Sequence, residues 1–234
     1  MRVQKEREME SIAAAGDPVG GTPAWQSLSD GLLAGFCHEL GGRASAFASI
    51  AHLANRDSMR AGFVVGEIER ESERLVRLAN LLRVLPRHEG QGLRSTALEP
   101  SVAEALELAR YHHGLRAIEL ESALDAGLPA VRVDRNLLMQ SLLLLVAATA
   151  RHAFGEGRDR VRVSGSRDGD TVVVRIEAPS GARQDWGLSP WLDTPPPTVD
   201  PTSLAAFRDR WARDGGALDA LADGGYRLTL PTTR

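Results

Sequence analysis

Apolar residues from Leu33 onward recur at alternating steps of four and three: Leu33, Cys37, Leu40, Ala44, Phe47, Ala51 and Ala54. That near-heptad spacing predicts a long helix carrying a seam for another helix. Ser27 or Ser29 is a suitable N-cap, and the pattern runs to about Asn55. Asn55-Arg56-Asp57-Ser58 predicts a turn. A second seam, Val64, Ile68, Leu75, Leu78, Leu82 and Leu85, with Glu71 as a polar interruption, predicts a second helix. Pro86 stops it. Two helices joined by a short turn make an antiparallel hairpin, which alone covers neither seam. Two chains combining into a four-helix bundle about a two-fold axis would cover both. The alternative is that the seam packs on the chain's own C-terminal half.

From Leu93 the pattern becomes mixed. Glu99-Pro100-Ser101 opens a helix to about His113, a strand follows near Ala117 to Leu124, and Val131 to Asp134 is short and extended. A Leu-rich buried helix is predicted over Arg135 to Phe154. Val161 to Ser166 and Thr171 to Glu177 alternate with period two around Asp168-Gly169-Asp170, a hairpin signal. After the Pro-rich Thr194-Pro195-Pro196-Pro197 come a helix, Ser203 to Asp214, and strands Ala217 to Leu221 and Tyr226 to Leu230. Helices on one face of a largely antiparallel sheet make an α+β two-layer sandwich. The predicted organisation is a poorly ordered segment over 1 to 26, a helical hairpin over 27 to 87 and the sandwich over 93 to 234.

Composition narrows the function classes. At 234 residues the chain suits one or two domains with a real core. A net charge of −3 with mixed signs gives no basic stripe, so no nucleic-acid partner is expected. The charged stretch Met1 to Glu10 is no secretory signal. The apolar run Leu137 to Ala150 contains Gln140 and Ser141 and falls short of the roughly 20 residues of a membrane span. A single cysteine, Cys37, excludes an internal disulfide and fits a reducing cytoplasm.

His38 is the candidate for chemistry. It follows a seam residue and so stands on the seam's flank. Its neighbours on that face, Gly31, Ala34, Gly35, Gly41, Gly42, Ser45 and Ser49, are all small. Glycine within a helix costs about 1 kcal/mol against alanine, a cost that keeping space clear around an imidazole would explain. The same residues also fit close helix packing beside an ordinary surface histidine. The other histidines carry less. His112 and His113 are adjacent and, on a helix, point about 100° apart, unlike an i, i+4 metal pair. His88 falls in the linker and His152 near a helix end. No metal cluster or nucleophilic triad is legible.

The histidine-bearing hairpin followed by this order of elements resembles the two-domain core of sensor histidine kinases. Phe36-Cys37-His38-Glu39-Leu40 resembles the phosphoacceptor motif, in which an acidic residue follows the histidine. The stretch from Asp134-Arg135-Asn136 to Leu142-Leu143 resembles the approach to the family's asparagine box. Ser203 to Phe207, Gly215-Gly216 and Gly224 to Pro231 resemble its last helix and strand pair. Three departures stand out. The two asparagines that hold Mg²⁺ and phosphates in that family are Leu144 and Ala148 here, without an oxygen for a hard cation. Ala178 replaces the aspartate that reads adenine. Val199-Asp200-Pro201-Thr202-Ser203 replaces the glycine-rich phosphate loop, with one donor lost at Pro201 and a carboxylate added at Asp200.

A histidine hairpin with a degenerate ATPase sandwich resembles the histidine phosphotransferases of bacterial phosphorelays, namely the sporulation-relay and alphaproteobacterial cell-cycle types. The resemblance implies phosphate passing between response-regulator aspartates through His38, with Glu39 orienting the imidazole or stabilising its charge. It implies response-regulator receiver domains as partners, a homodimer, and no cofactor of the chain's own, Mg²⁺ coming with the receiver. Gly41, Gly42, Arg43, Ser45, Ser49 and His52, with Phe63 and Val65 across the turn, would meet the receiver. Gly42 occupies the position that holds a water-orienting side chain in kinases that are also phosphatases. Two other readings remain: a divergent sensor histidine kinase, and a silent scaffold that sequesters a kinase or regulator.

Overall fold

The computed structural model describes residues 22–56, 61–85, 92–181 and 194–233. The lead-in up to Gly21, the turn at Asp57-Ser58, the stop at Pro86, His88 and residues 182–193 of the Pro-rich connection lie outside them. Two helices open the described chain, α1 (Pro23–Arg56) and α2 (Ala61–Val84), and they pack together as a hairpin. The sandwich follows: β1 (Arg94–Thr96), α3 (Leu98–Ala109), a 3₁₀ turn (His113–Leu115), β2 (Glu119–Leu124), β3 (Val131–Val133) and α4 (Arg135–Gly155). It closes with β4 (Arg160–Asp168), β5 (Thr171–Glu177), α5 (Pro201–Arg213), β6 (Ala217–Ala220) and β7 (Tyr226–Pro231). The expected α+β class, a helical hairpin before a two-layer sandwich, is the one observed.

Five strands form one sheet in the order β2-β4-β5-β7-β6, with β2 and β4 parallel and the other pairs antiparallel. Period-two burial fixes its inner face: Val161 and Val163, then Val172, Val174 and Ile176, then Leu228 and Leu230 are fully buried. The outer face carries cross-strand ion pairs, Arg162–Glu121 at 3.0 Å and Arg227–Asp219 at 3.0 Å. β1 pairs with β3 in a separate two-stranded ribbon that the sequence pattern did not signal. α4 lies in the core, which explains why its sequence lacks an amphipathic period. Its 21 residues are long and apolar enough to span a bilayer, contrary to the expectation from Leu137 to Ala150 alone; 78% of that apolar window is buried in the protein.

Two expectations are corrected at the N-terminus. α1 begins at Pro23, not at Ser27 or Ser29. Proline suits the first helical position because no intrahelical bond needs its N–H, and the Trp25 N–H donates to Thr22 Oγ1 at 3.4 Å. The boundary drawn at residue 26 therefore cuts through the helix. Trp25 is 1% exposed.

The buried stripe of α1 also differs from the expected one. Trp25, Leu28, Leu32 and Phe36 are buried, and with Leu78 and Leu81 of α2 they join the same apolar core as α3, α4 and the sheet. The heptad seam lies on a different line. Leu33 and Leu40 are 42% and 39% exposed, Ile68 is 41% exposed, and Cys37, Ala44 and Ala51 are also open to solvent. So the hairpin does dock on the C-terminal half, through a stripe of α1 offset from its seam and through Leu78, Leu82 and Leu85 of the α2 seam, and most of the α1 seam stays uncovered in the single chain.

Candidate functional site

His38 sits two residues beyond Phe36, where α1 leaves the sandwich, and it is exposed. The glycines around it divide into two groups. A Cβ on Gly35 would lie 1.7 Å from the Tyr111 carbonyl oxygen, and one on Gly31 would lie 2.3 Å from the His112 ring. These two let α1 approach the turn after α3. They do not clear space around the imidazole. Gly41 and Gly42 face open space, with nothing within 4 Å of a Cβ at either position.

Glu39 and Arg43 stand one turn apart on α1 and bond to each other. Arg43 also crosses to α2, where its Nη1 donates to both carboxylate oxygens of Glu71 at 3.1 and 3.2 Å, and Arg74 pairs with Glu71 at 2.5 Å. Glu71, the polar interruption of the second seam, is 5% exposed. Its buried carboxylate is held by two arginines, and the hydrogen bond from Arg43 foremost keeps it below the ordinary carboxylate range. Arg43 is thus committed within the chain, and no hydrogen bond joins Glu39 to His38. Ser45 and Ser49 are exposed and return their hydroxyls to carbonyls one turn back, Gly41 and Ser45, at 3.0 Å each. His52 is exposed, as are Phe63 (57%) and Val65 (54%).

A groove of about 560 Å³ separates this part of the hairpin from the sandwich. His38, Glu39 and Arg43 line it from α1, Arg74, Arg77 and Leu78 from α2, and Glu107, Arg110, Tyr111 and Arg116 from the second domain. The Tyr111 ring stacks on Phe36 with centroids 4.4 Å apart and planes 12° apart, forming the floor where the two parts meet. Burial raises the Tyr111 hydroxyl's pKa, with Glu107 and Glu39 adding to the effect and Arg43 and Arg77 opposing it. Sequence reasoning missed Arg77, Arg110, Tyr111 and Arg116. Arg70, Arg74 and Arg77 recur at steps of four and three, so a row of arginines along α2 was readable. The approach of Arg110 and Arg116 depends on docking and was not.

His112 and His113 do not share a helix as expected, because α3 ends at Ala109. His112 caps the 3₁₀ turn, accepting at Nδ1 from the Gly114 N–H at 3.1 Å, and its ring stacks on His113 with centroids 4.7 Å apart. It is 3% exposed, and burial, aided by His113, lowers its pKa to about 4. Among the described residues no group of three His, Cys, Asp or Glu side chains is arranged to hold a metal.

At the positions compared with a nucleotide site, Leu144 is 1% exposed and Ala178 is 7% exposed. The Ala178 carbonyl accepts from Arg158, and Arg151 donates to the Pro196 carbonyl at 3.3 Å. Asp200 caps α5, accepting from the Ser203 N–H at 2.8 Å and from the Ser203 and Thr202 hydroxyls at 2.6 Å each. Those bonds lower its pKa to about 2. The helix N-terminus, where a phosphate would sit, already holds the chain's own carboxylate.

No protein-family model matches the chain, and no curated protein matches it. Among solved structures it is similar to the catalytic domain of histidine kinase ThkA, at 17% identity and a TM-score of 0.43, covering 61% of this chain and 99% of that one. It is similar to the histidine kinase AdeS of Acinetobacter baumannii, at 16% identity and 0.39, covering 84% and 98%. It is also similar to a histidine kinase of Burkholderia phymatum, at 14% identity and 0.38, covering 90% and 98%.

Proposed function

We propose that the chain is a cytoplasmic histidine phosphotransferase of a two-component phosphorelay, acting as a homodimer through His38. A neutral imidazole is a competent nucleophile. Its lone pair attacks phosphorus on a receiver's aspartyl phosphate. The N–P bond forms as the P–O bond breaks, and the aspartate carboxylate leaves with the electron pair. The second ring nitrogen keeps its proton, so no separate base is required. The reverse reaction delivers phosphate to another receiver, and Mg²⁺ comes with the receiver.

The observation that carries this reading is His38's position: exposed on the undocked part of α1, followed by open Gly41 and Gly42, at the edge of an arginine-lined groove. The exposed seam of Leu33, Cys37, Leu40 and Ile68 supports a second copy as its cover. The Asp200 cap at α5 and the buried Leu144 support a source of phosphate other than ATP.

The experiment is incubation with purified phosphorylated receiver domains. Acid-labile, base-stable phosphate is expected on this chain and is expected to vanish in His38→Ala, whose fold should be intact because the side chain is exposed. Labelling that survives in the variant refutes the mechanism. A biological effect that survives without labelling favours the scaffold reading.

A further inference from the structure

Arginine is spent unevenly on this surface. Arg43, Arg74, Arg160 and Arg162 are bound to carboxylates. Arg77, Arg110 and Arg116 are exposed and their guanidiniums make no hydrogen bond or ion pair among the described residues, yet all three line the groove that holds His38. Across the groove as a whole, five guanidiniums face two carboxylates, Glu39 and Glu107, and Glu39 is already bound by Arg43. The walls come from three sources: α1 with the histidine, α2 with Arg77, and the second domain with Arg110 and Arg116. The Phe36–Tyr111 stack fixes them relative to one another. Planar guanidiniums with unused donors, converging on a concave site from two sides, match the several oxygens of a phosphate group better than a point charge does.

We infer that this groove is an anion site that cradles the phosphoryl group carried by His38, with Arg77, Arg110 and Arg116 donating to its non-bridging oxygens. The inference rests on the transferase reading for the source of the phosphoryl group, and it adds a role for the second domain. That domain supplies charge to the phosphohistidine in place of binding nucleotide. Phosphate residing on His38 is stabilised relative to phosphate on a receiver's aspartate, which sets the balance of the relay.

The test has two arms, both on the full chain. In the first, inorganic phosphate is titrated into the unphosphorylated protein while the His38 ring resonances are followed by NMR. Saturable binding in the millimolar range is expected, weakened about tenfold or more in the double variant Arg110→Ser, Arg116→Ser. In the second, phosphate is equilibrated between the chain and a phosphorylated receiver domain. The double variant should shift the partition toward the receiver by about tenfold. Arg83→Ser, exposed on α2 and outside the groove, should leave both readouts unchanged. Wild-type protein that shows no phosphate-dependent shift, or a double variant that binds and partitions like wild type, overturns the inference. Phosphate bound in the groove of a chain that no receiver labels overturns the transferase reading and leaves the anion site standing. Labelled His38 with an unchanged partition does the reverse.

Discussion

Replacing Gly35 by alanine tests the docking that builds the groove. Alanine is the better helix former by about 1 kcal/mol, so on a free helix the change would stabilise. Here the new Cβ would lie 1.7 Å from the Tyr111 carbonyl oxygen and 2.7 Å from its carbon, where ordinary contact begins near 3.4 Å. The carbonyl has little room to yield. Its turn is tied by the Tyr111 N–H to Leu108, the His112 N–H to Ala109 and the Leu115 N–H to His112, at 2.9 to 3.0 Å. The helix must therefore back away, which loosens the Phe36–Tyr111 stack and the burial of Trp25, Leu28 and Leu32. Overpacking of this kind costs about 1–3 kcal/mol, at times more; with a rigid backbone as the obstacle we take the upper end. Less the propensity gain, the net loss is about 2 kcal/mol, or roughly 4–8 °C in Tm for a chain of this size. Gly42→Ala meets nothing within 4 Å and should gain up to about 1 kcal/mol. Parallel thermal and urea melts of the two variants provide the assay. If Gly35→Ala is as stable as Gly42→Ala, α1 is not seated on that turn and the groove's geometry is wrong.

Ser45→Arg or Ser49→Arg should slow phosphotransfer about tenfold, near 1.4 kcal/mol in the barrier, with Tm unmoved because both residues are exposed; wild-type rates in both would mean that the receiver docks elsewhere. Mg-ATP should bind no tighter than millimolar by calorimetry, and micromolar affinity would revive the kinase reading. His112 makes stability pH-dependent. Its folded pKa of about 4 lies below the ordinary 6.5, so the folded state binds fewer protons between them, and stability present above about pH 6.5 is lost as pH falls toward 4. The loss is at most about 3 kcal/mol. Urea midpoints against pH should show the slope, and His112→Asn, which keeps an acceptor for the Gly114 N–H, should flatten it; equal slopes would rule His112 out as the cause.

Periodic elements were legible. The β4–β5 hairpin and α4 lie within one or two residues of their predicted ends, because strict period-two alternation and an unbroken apolar run leave few alternatives. Trp25 was lost because Gly-, Pro- and Ala-rich sequence before it reads as linker, although Thr22-Pro23 is itself a helix start. The burial of Phe36 in place of Leu33 was not readable, since both lie on apolar lines of one helix and only the position of the second domain chooses between them. Gly31 and Gly35 were rightly singled out, and of the two readings offered for them it is close packing that holds, against the turn after α3. Small residues announce close approach without naming what approaches. At the site, His38 and Arg43 were found from their motif positions, while the three unpaired arginines come together only through tertiary packing.

The shared core of hairpin and sandwich has a consequence for cooperativity. Trp25, Leu28, Leu32 and Phe36 are sealed by side chains from both halves, so the hairpin's buried stripe is completed only by the second domain. The chain should melt in a single transition, and an excised hairpin would expose two large aromatic rings to water. A buttress of this kind also removes a degree of freedom. The second domain is fused to the helix that bears the histidine and does not swing on a tether, so the setting of His38 is fixed when the chain folds. Under the transferase role proposed above, control over the flow of phosphate would pass to the abundance and affinity of the partners that arrive.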